Sequence, residues 1–281
     1  MKLATYTPLA GGAPRVGIVS ADGATIAPAD APDMITLIAS GRRPSATGPA
    51  LALSAVRLLA PIPRPRKNVF CVGWNYVEHF EEGRAARPHV QEMPAHPTFF
   101  TKATTAVNGP FDAIPYHRHV SEKLDWEVEL GVIIGPGGRD IAEADAMRHV
   151  FGYTVINDVS WRDIQRRHGQ QWFKGKSLDG TCPMGPWIVT ADAIDPTNLK
   201  VECRINGVAK QSASTAQMYF KIPRIIAELS QGLTLEPGDV IATGTPSGVG
   251  HARTPPEFMK PGDVMETEIQ GIGTLKNAIS A

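Results

Sequence analysis

The chain has 281 residues, enough for one large domain or two smaller ones around an ample core. Lys+Arg and Asp+Glu each total 28, so the formal net charge is zero, and neither nucleic acid nor an anionic membrane has a basic surface to meet. With no apolar run near the roughly 20 residues of a bilayer span, no signal-peptide core and three scattered cysteines (Cys71, Cys182, Cys203), the expectation is a cytoplasmic protein with reduced, buried thiols.

Arg15–Ser20 and Ala24–Ala27 flank Asp22-Gly23, a hairpin signal. Met34–Ala39 and Leu51–Leu59 carry short helical patterns. Pro61-Ile62-Pro63-Arg64-Pro65 then stiffens the chain, because proline fixes φ and restricts the residue before it. This divides a small N-terminal α+β domain, 1–64, from a second domain, 65–281. From Asn68 onward short strand-like runs follow one another: Val69–Val72, Glu127–Ile134, Tyr153–Asn157, Trp187–Thr190, Lys200–Ile205, Val240–Thr243 and Val264–Ile269. Ile141–His149 and Ile222–Leu229 read as helices, and Pro-Gly-Asp at 237–239 and 261–263 marks tight turns. Many short strands and few helices argue for a β-rich α+β fold over a βαβ array. Gly244–Gly250 looks like a phosphate loop but lacks the following Lys-Ser/Thr and helix, and no Rossmann fingerprint is present.

Asp125-Trp126-Glu127-Val128-Glu129-Leu130 alternates acidic and apolar residues before an apolar block. A strand sends alternate side chains to opposite faces, so Asp125, Glu127 and Glu129 are expected together on one face. Such carboxylates repel, and burial near a core adds to the cost, so something positive belongs among them. Taken alone, a run of this kind is most often a wet strand face. Asp158, where the strand Tyr153–Asn157 ends, supplies a third acid or else a helix N-cap. Two glutamates and an aspartate form an all-oxygen set suited to Mg²⁺, Mn²⁺ or Ca²⁺ over Zn²⁺.

In Gly73–Gly83, a helix following the strand Val69–Val72 puts His79 and Glu82 at i and i+3 on one side, with Glu81 elsewhere. A carboxylate that orients an imidazole is the usual arrangement for a general base acting on water. The segment after Gly83, rich in Pro, Arg and His, reads as a mobile flap. Lys176, flanked by Gly175, is either a surface lysine or a cation that stabilises developing negative charge. His117 and His119 alternate on a possible strand, but the oxygen-rich set suits a hard cation better. His89, His96, His149, His168 and His251 have no partner the sequence names.

Taken in order, Val72-Gly73 through His79, Pro97–Lys102, Asp125–Leu130, Asn157–Gln165, Gly175–Asp179 with Pro183–Trp187, and Gly238–Gly250 resemble the fumarylacetoacetate hydrolase family, especially its shorter members. The resemblance spans residues 68–281. It implies a mixed β-roll catalytic domain behind a small N-terminal domain, and a homodimer. It implies that Glu127, Glu129 and Asp158 hold Mg²⁺ or Mn²⁺, with Ca²⁺ as a further option, and that His79 and Glu82 are the water-activating dyad. Lys176 and Gln165 would stand near the reacting carbonyl and Thr245 near a substrate carboxylate. Arg162 and Tyr76 complete the substrate side, and Asp125 takes a supporting role. Trp74, Trp161 and Gly180 depart from the common family pattern and bear on substrate identity.

The expectation drawn from this resemblance is hydrolytic C–C cleavage of a 2,4-dioxo acid of the acylpyruvate type, with an enolate of pyruvate as leaving group. The alternative at the same site is decarboxylation of an oxaloacetate-like acid or isomerisation of a hydroxymuconate-like diacid. A non-catalytic binder of metal and oxo acid is the rival from another class, against which the retention of His79, Glu82 and Lys176 weighs.

Overall fold

The computed structural model describes residues 1–84, 92–169 and 171–281. Every residue of the strand Val128–Ile134 is buried, because it has strands on both edges and packed layers on both faces. It pairs antiparallel with Val150–Asn157 on one side and Val240–Ala242 on the other. Val240–Ala242 runs parallel to Val69–Gly73, which pairs antiparallel with Thr98–Lys102. Outward from Val150–Asn157 come Cys182–Thr190 and then Lys2–Pro8, all antiparallel. The result is a mixed 12-stranded sheet, with a separate four-stranded antiparallel sheet in the order Val208–Ser214, Lys200–Ile205, Val264–Ile269, Gly273–Ala278. Few helices accompany these strands, so the fold is a β-rich α+β fold, as the sequence pattern implies. The helix Ile222–Ser230 buries Ile222, Ile225, Ile226 and Leu229, the spacing of one helical face.

The N-terminal hairpin forms as its turn chemistry dictates. Arg15–Val19 pairs with Thr25–Pro28, and the Gly23 N–H donates to the Ser20 carbonyl at 3.0 Å. Leu3, Val16, Met34 and Leu37 share one apolar cluster with Cys71, Ile133 and Met184, so the N-terminal strands that extend the central sheet also share its core.

Three expectations are corrected. Leu51–Leu59 is not helical: it forms the strands Leu51–Ala52 and Val56–Leu58 around a 3₁₀ turn, because Val56 and Leu58 are buried while Arg57 is exposed, a period of two. Glu143–His149 is a 3₁₀ segment and not an α-helix; its preceding Ala142 makes no side-chain cap, and only Ala146 is buried. The acidic run is not one strand either. Leu124–Asp125 pairs with Ser160–Trp161, and the chain breaks at Trp126 and Glu127 before Val128–Ile134 begins, which turns Asp125 away from the other two acids.

Strand register positions the site. Val128 lies opposite Asn157, so the next residue, Asp158, donates its N–H to the Glu127 carbonyl at 2.8 Å. The Asn157 side chain reinforces this, accepting from the Glu127 N–H at 2.9 Å. Two acids 31 positions apart are thereby held side by side at the end of a rigid sheet.

Candidate active site

Glu127, Glu129 and Asp158 each offer a carboxylate oxygen within 4.8 Å of the other two. They are 4 %, 2 % and 0 % exposed, which rules out the wet-face reading of the acidic run. Three buried cations answer them. Lys176 Nζ donates to Glu127 Oε2 at 2.8 Å and Asp158 Oδ2 at 2.7 Å. Lys102 Nζ donates to Asp158 Oδ1 at 2.8 Å and the Val159 carbonyl at 3.0 Å. Arg162 Nη1 lies 2.6 Å from Glu127 Oε1, while its Nε donates to Asp125 Oδ2 at 2.7 Å.

Four buried carboxylates (Asp125, Glu127, Glu129, Asp158) thus face three buried cations (Lys102, Lys176, Arg162), and the cluster is one positive charge short. The deficit shows at Glu129. Burial, then the neighbouring Asp158 and Glu127 carboxylates, push its carboxyl well above the ordinary range. At Glu127 burial acts in the same direction, but Lys176 and Arg162 outweigh it and hold the group far below that range. A hard divalent ion fits this set: the donors are all oxygen, they converge, and they carry uncompensated charge. The buried triad is therefore able to hold a divalent ion.

The glycine-rich loop 244–250 does cradle anions, though they are the protein's own carboxylates. The Gly244 N–H donates to Glu129 Oε2 at 2.7 Å, Gly248 to Glu82 Oε2 at 2.8 Å, and Gly250 to Asp125 Oδ1 at 2.7 Å. Gly244 (φ 99°) and Gly248 (φ 103°) sit in left-handed backbone, and a Cβ on Gly244 would lie 2.6 Å from Asn75 Cβ. Thr245 is buried and accepts from Gln211 Nε2 at 2.8 Å.

A cleft of ≈ 340 Å³ opens above the triad. His79, Glu127, Glu129, Arg162, Gln165, Lys176 and Thr245 all line it. His79 lies on the helix Val77–Glu82, and its Nδ1 stands 2.7 Å from Glu82 Oε1, as the i, i+3 spacing implies; Glu81 instead pairs with Arg84. Gln165 Oε1 accepts from Arg162 Nη1 at 3.2 Å. Tyr76 does not line the cleft: it packs in the core at 1 % exposure, with its hydroxyl pKa raised by burial and then by Glu129. The other wall is aromatic. Trp74, at φ 56°, meets Trp172 edge-on at 4.9 Å, and Phe100 lies under Lys176 Nζ at 5.0 Å.

Two site residues had no clear reading in the sequence. Lys102 is fully buried at the end of Thr98–Lys102; the sequence placed it in the family-like block Pro97–Lys102 without assigning it a role. His251 lines the cleft with its Nδ1 3.2 Å from Asp125 Oδ2, a partner 126 positions away that no local pattern could name. A second cavity of ≈ 500 Å³ adjoins the first, and Arg162, Arg166 and His251 line both. His117 and His119 stack edge-on at 6.2 Å, and His117 contacts the Asp179 carbonyl. Among the described residues they join no metal-ligand cluster. Cys71, Cys182 and Cys203 are free and buried, with thiol pKa values raised by burial, to about 12 for Cys182 and Cys203. Most of the segment expected as a flap, with His89, lies outside the described residues.

Residues 68–280 match the family described as fumarylacetoacetate (FAA) hydrolase C-terminal. The chain belongs to the fumarylacetoacetate hydrolase family. Residues 1–61 match a family described as Rv2993c-like, N-terminal. Among curated relatives, oxaloacetate tautomerase YisK of Bacillus subtilis is 51 % identical over 230 residues, 81 % of this chain and 74 % of the relative. Human mitochondrial oxaloacetate tautomerase FAHD2A is 47 % identical over 246 residues, 87 % of this chain and 76 % of the relative. Among solved structures, a fumarylacetoacetate hydrolase from Exiguobacterium antarcticum superposes with TM-score 0.88 at 43 % identity, covering 100 % of this chain and 99 % of that one. A 5-carboxymethyl-2-hydroxymuconate delta-isomerase from Mycobacterium smegmatis does so with TM-score 0.81 at 32 % identity, with the same coverage. As a member of a family whose named relatives include tautomerases, an isomerase and a hydrolase, the chain is an enzyme. Among the described residues, no helix is long and apolar enough to cross a membrane.

Proposed function

We propose that the enzyme interconverts the enol and keto forms of a small 2-oxo diacid, of which oxaloacetate is the simplest case. The observation that carries this reading is the convergence, in one cleft, of a buried acidic triad and a carboxylate-held imidazole, His79–Glu82. The comparisons favour it over the hydrolysis first expected, since the curated relatives named above are tautomerases and a structural neighbour is an isomerase. Neither activity needs an attacking water.

Glu127, Glu129 and Asp158 would hold Mg²⁺ or Mn²⁺, and such an ion, when bound, polarises a 2-oxo group and neutralises enolate charge. The chain's own residues do the rest. Lys176, spanning Glu127 and Asp158, adds positive charge where an enolate oxygen would come to rest. Glu82 holds the His79 ring so that it carries a proton at the substrate carbon. Gln165 and Thr245 face the bound acid, and Tyr76 supports from behind. Arg166 lines the cleft mouth and has no acidic partner among the described residues, which suits a second carboxylate. Trp74 and Trp172, meeting edge-on, give the planar enol an aromatic wall.

The two family matches meet between residues 61 and 68, which supports the division into domains 1–64 and 65–281 at the proline-rich joint. The family resemblance supports a homodimer, which light scattering checks, while the cytoplasmic expectation rests on composition alone.

The test is the decay of enol-oxaloacetate with Mn²⁺, with products identified by mass. Unchanged mass supports tautomerisation, CO₂ release points to decarboxylation, and a new acid from an acylpyruvate restores hydrolysis. His79→Ala should lower turnover by about 10²–10⁴-fold while leaving Mn²⁺ affinity intact. Full activity in that variant overturns the assignment of His79.

A further inference from the structure

We propose that His251 is a second proton carrier in this cleft, so that tautomerisation passes between two imidazoles instead of shuttling on His79 alone. The inference rests on the reading of the site just given.

The geometry repeats itself. His79 is held through Nδ1 by Glu82 at 2.7 Å, and His251 through Nδ1 by Asp125 at 3.2 Å. Each carboxylate is fixed in turn by amides of the same loop. Gly248 N–H donates to Glu82 at 2.8 Å, Gly250 N–H to Asp125 at 2.7 Å, and His251 N–H to Asp125 at 3.0 Å. A carboxylate on Nδ1 selects the tautomer whose Nε2 accepts a proton. Both rings line the ≈ 340 Å³ cleft, and both feel the charge of Glu127. A structural histidine would need neither cleft exposure nor a preorganised carboxylate.

The charges around His251 set its part. Asp125 and Glu127 favour its imidazolium, while burial and Arg162 disfavour it and prevail, leaving the ring neutral at rest. Lys123, Arg166 and Arg167 are further cations that line the adjoining cavity with it. Asp163 also lines that cavity but accepts from the Ser121 hydroxyl.

In the ketonising direction His251 therefore accepts and His79 donates. The enol O–H gives its proton to His251 Nε2, and the oxygen electrons close the C=O bond. The former C=C pair takes at carbon the Nε2 proton of His79 in its imidazolium form, whose charge Glu82 offsets, and water in the cleft then carries the proton from His251 back to His79. No electron leaves the substrate.

The test compares His251→Gln with the wild type on the enol substrate with Mn²⁺. Turnover should fall about 100-fold, while KM, Mn²⁺ affinity and the melting temperature stay close to wild type. The wild-type rate should decline towards low pH as the acceptor protonates, and that limb should vanish in the variant. Added imidazole should restore rate to His251→Ala. Unchanged turnover, a change confined to KM, a retained acid limb or failed rescue overturns the role of His251 while leaving the tautomerase reading standing. A wild type inert towards the enol overturns both.

Discussion

Lys102 is a fully buried ammonium whose partners are a carboxylate at the triad and one backbone carbonyl. Lys102→Met would leave the fully buried Asp158 with only Lys176 against it. The expected loss is about 3–5 kcal/mol of stability in urea melts. Because Lys102 also orients Asp158, Mn²⁺ binding by calorimetry should weaken about 10–100-fold. His251 gives a pH dependence of opposite sign to that of a salt-bridged histidine. Its folded pKa lies below the ordinary 6.5, so on acidification the unfolded chain takes up a proton before the folded one does. Stability should therefore fall as pH drops through 6.5 towards the folded value, and His251→Gln should flatten that slope in urea midpoints. These residues also mark how far the sequence could be read. His79 with Glu82 was legible because three positions along a helix bring them together. Lys102 with Asp158, and His251 with Asp125, were not, since each pair is joined only by sheet topology.

The loop 244–250 shows the same boundary at the scale of an element. Its glycines were visible and its lack of a P-loop lysine was decisive, yet the anions it binds come from three other elements. Gly248→Ala tests the loop directly. The residue holds φ 103°, and a methyl group there would drive into the Lys210 carbonyl. We expect about 1–3 kcal/mol of destabilisation and, because the Gly248 amide holds Glu82, a fall in turnover at unchanged Mn²⁺ affinity. Strand positions fared better than helix types, since a period of two survives in short runs. The helical reading of Leu51–Leu59 failed because nine residues with apolar positions on either template do not separate the two. The acidic strand failed in a more useful way. Its break at Trp126–Glu127 sends Asp125 to Arg162 and His251 and leaves Glu127 and Glu129 to the triad.

At the scale of the whole molecule, the active-site cluster of three buried cations and four buried carboxylates makes the folded state an incomplete electrostatic unit. Mn²⁺ at 100 times its dissociation constant should add about 2.7 kcal/mol of stability. At roughly 2–4 °C per kcal/mol the melting point should rise by roughly 5–10 °C over the EDTA-treated protein. Glu129→Gln should abolish most of that rise. The proline-rich joint near residue 64 was readable, but the pairing of Lys2–Pro8 with Cys182–Thr190 was not, because it joins segments about 185 positions apart. That pairing ties the first strand to the sheet that carries the acids.

The aromatic wall gives the enzyme a built-in optical probe. Of five tryptophans, Trp74 and Trp172 border the cleft, whereas Trp126 and Trp161 are enclosed and Trp187 is tied to the Ile272 carbonyl. Quenching of intrinsic emission should therefore follow the arrival of a planar acid without any label, and Trp172→Phe should remove most of the signal.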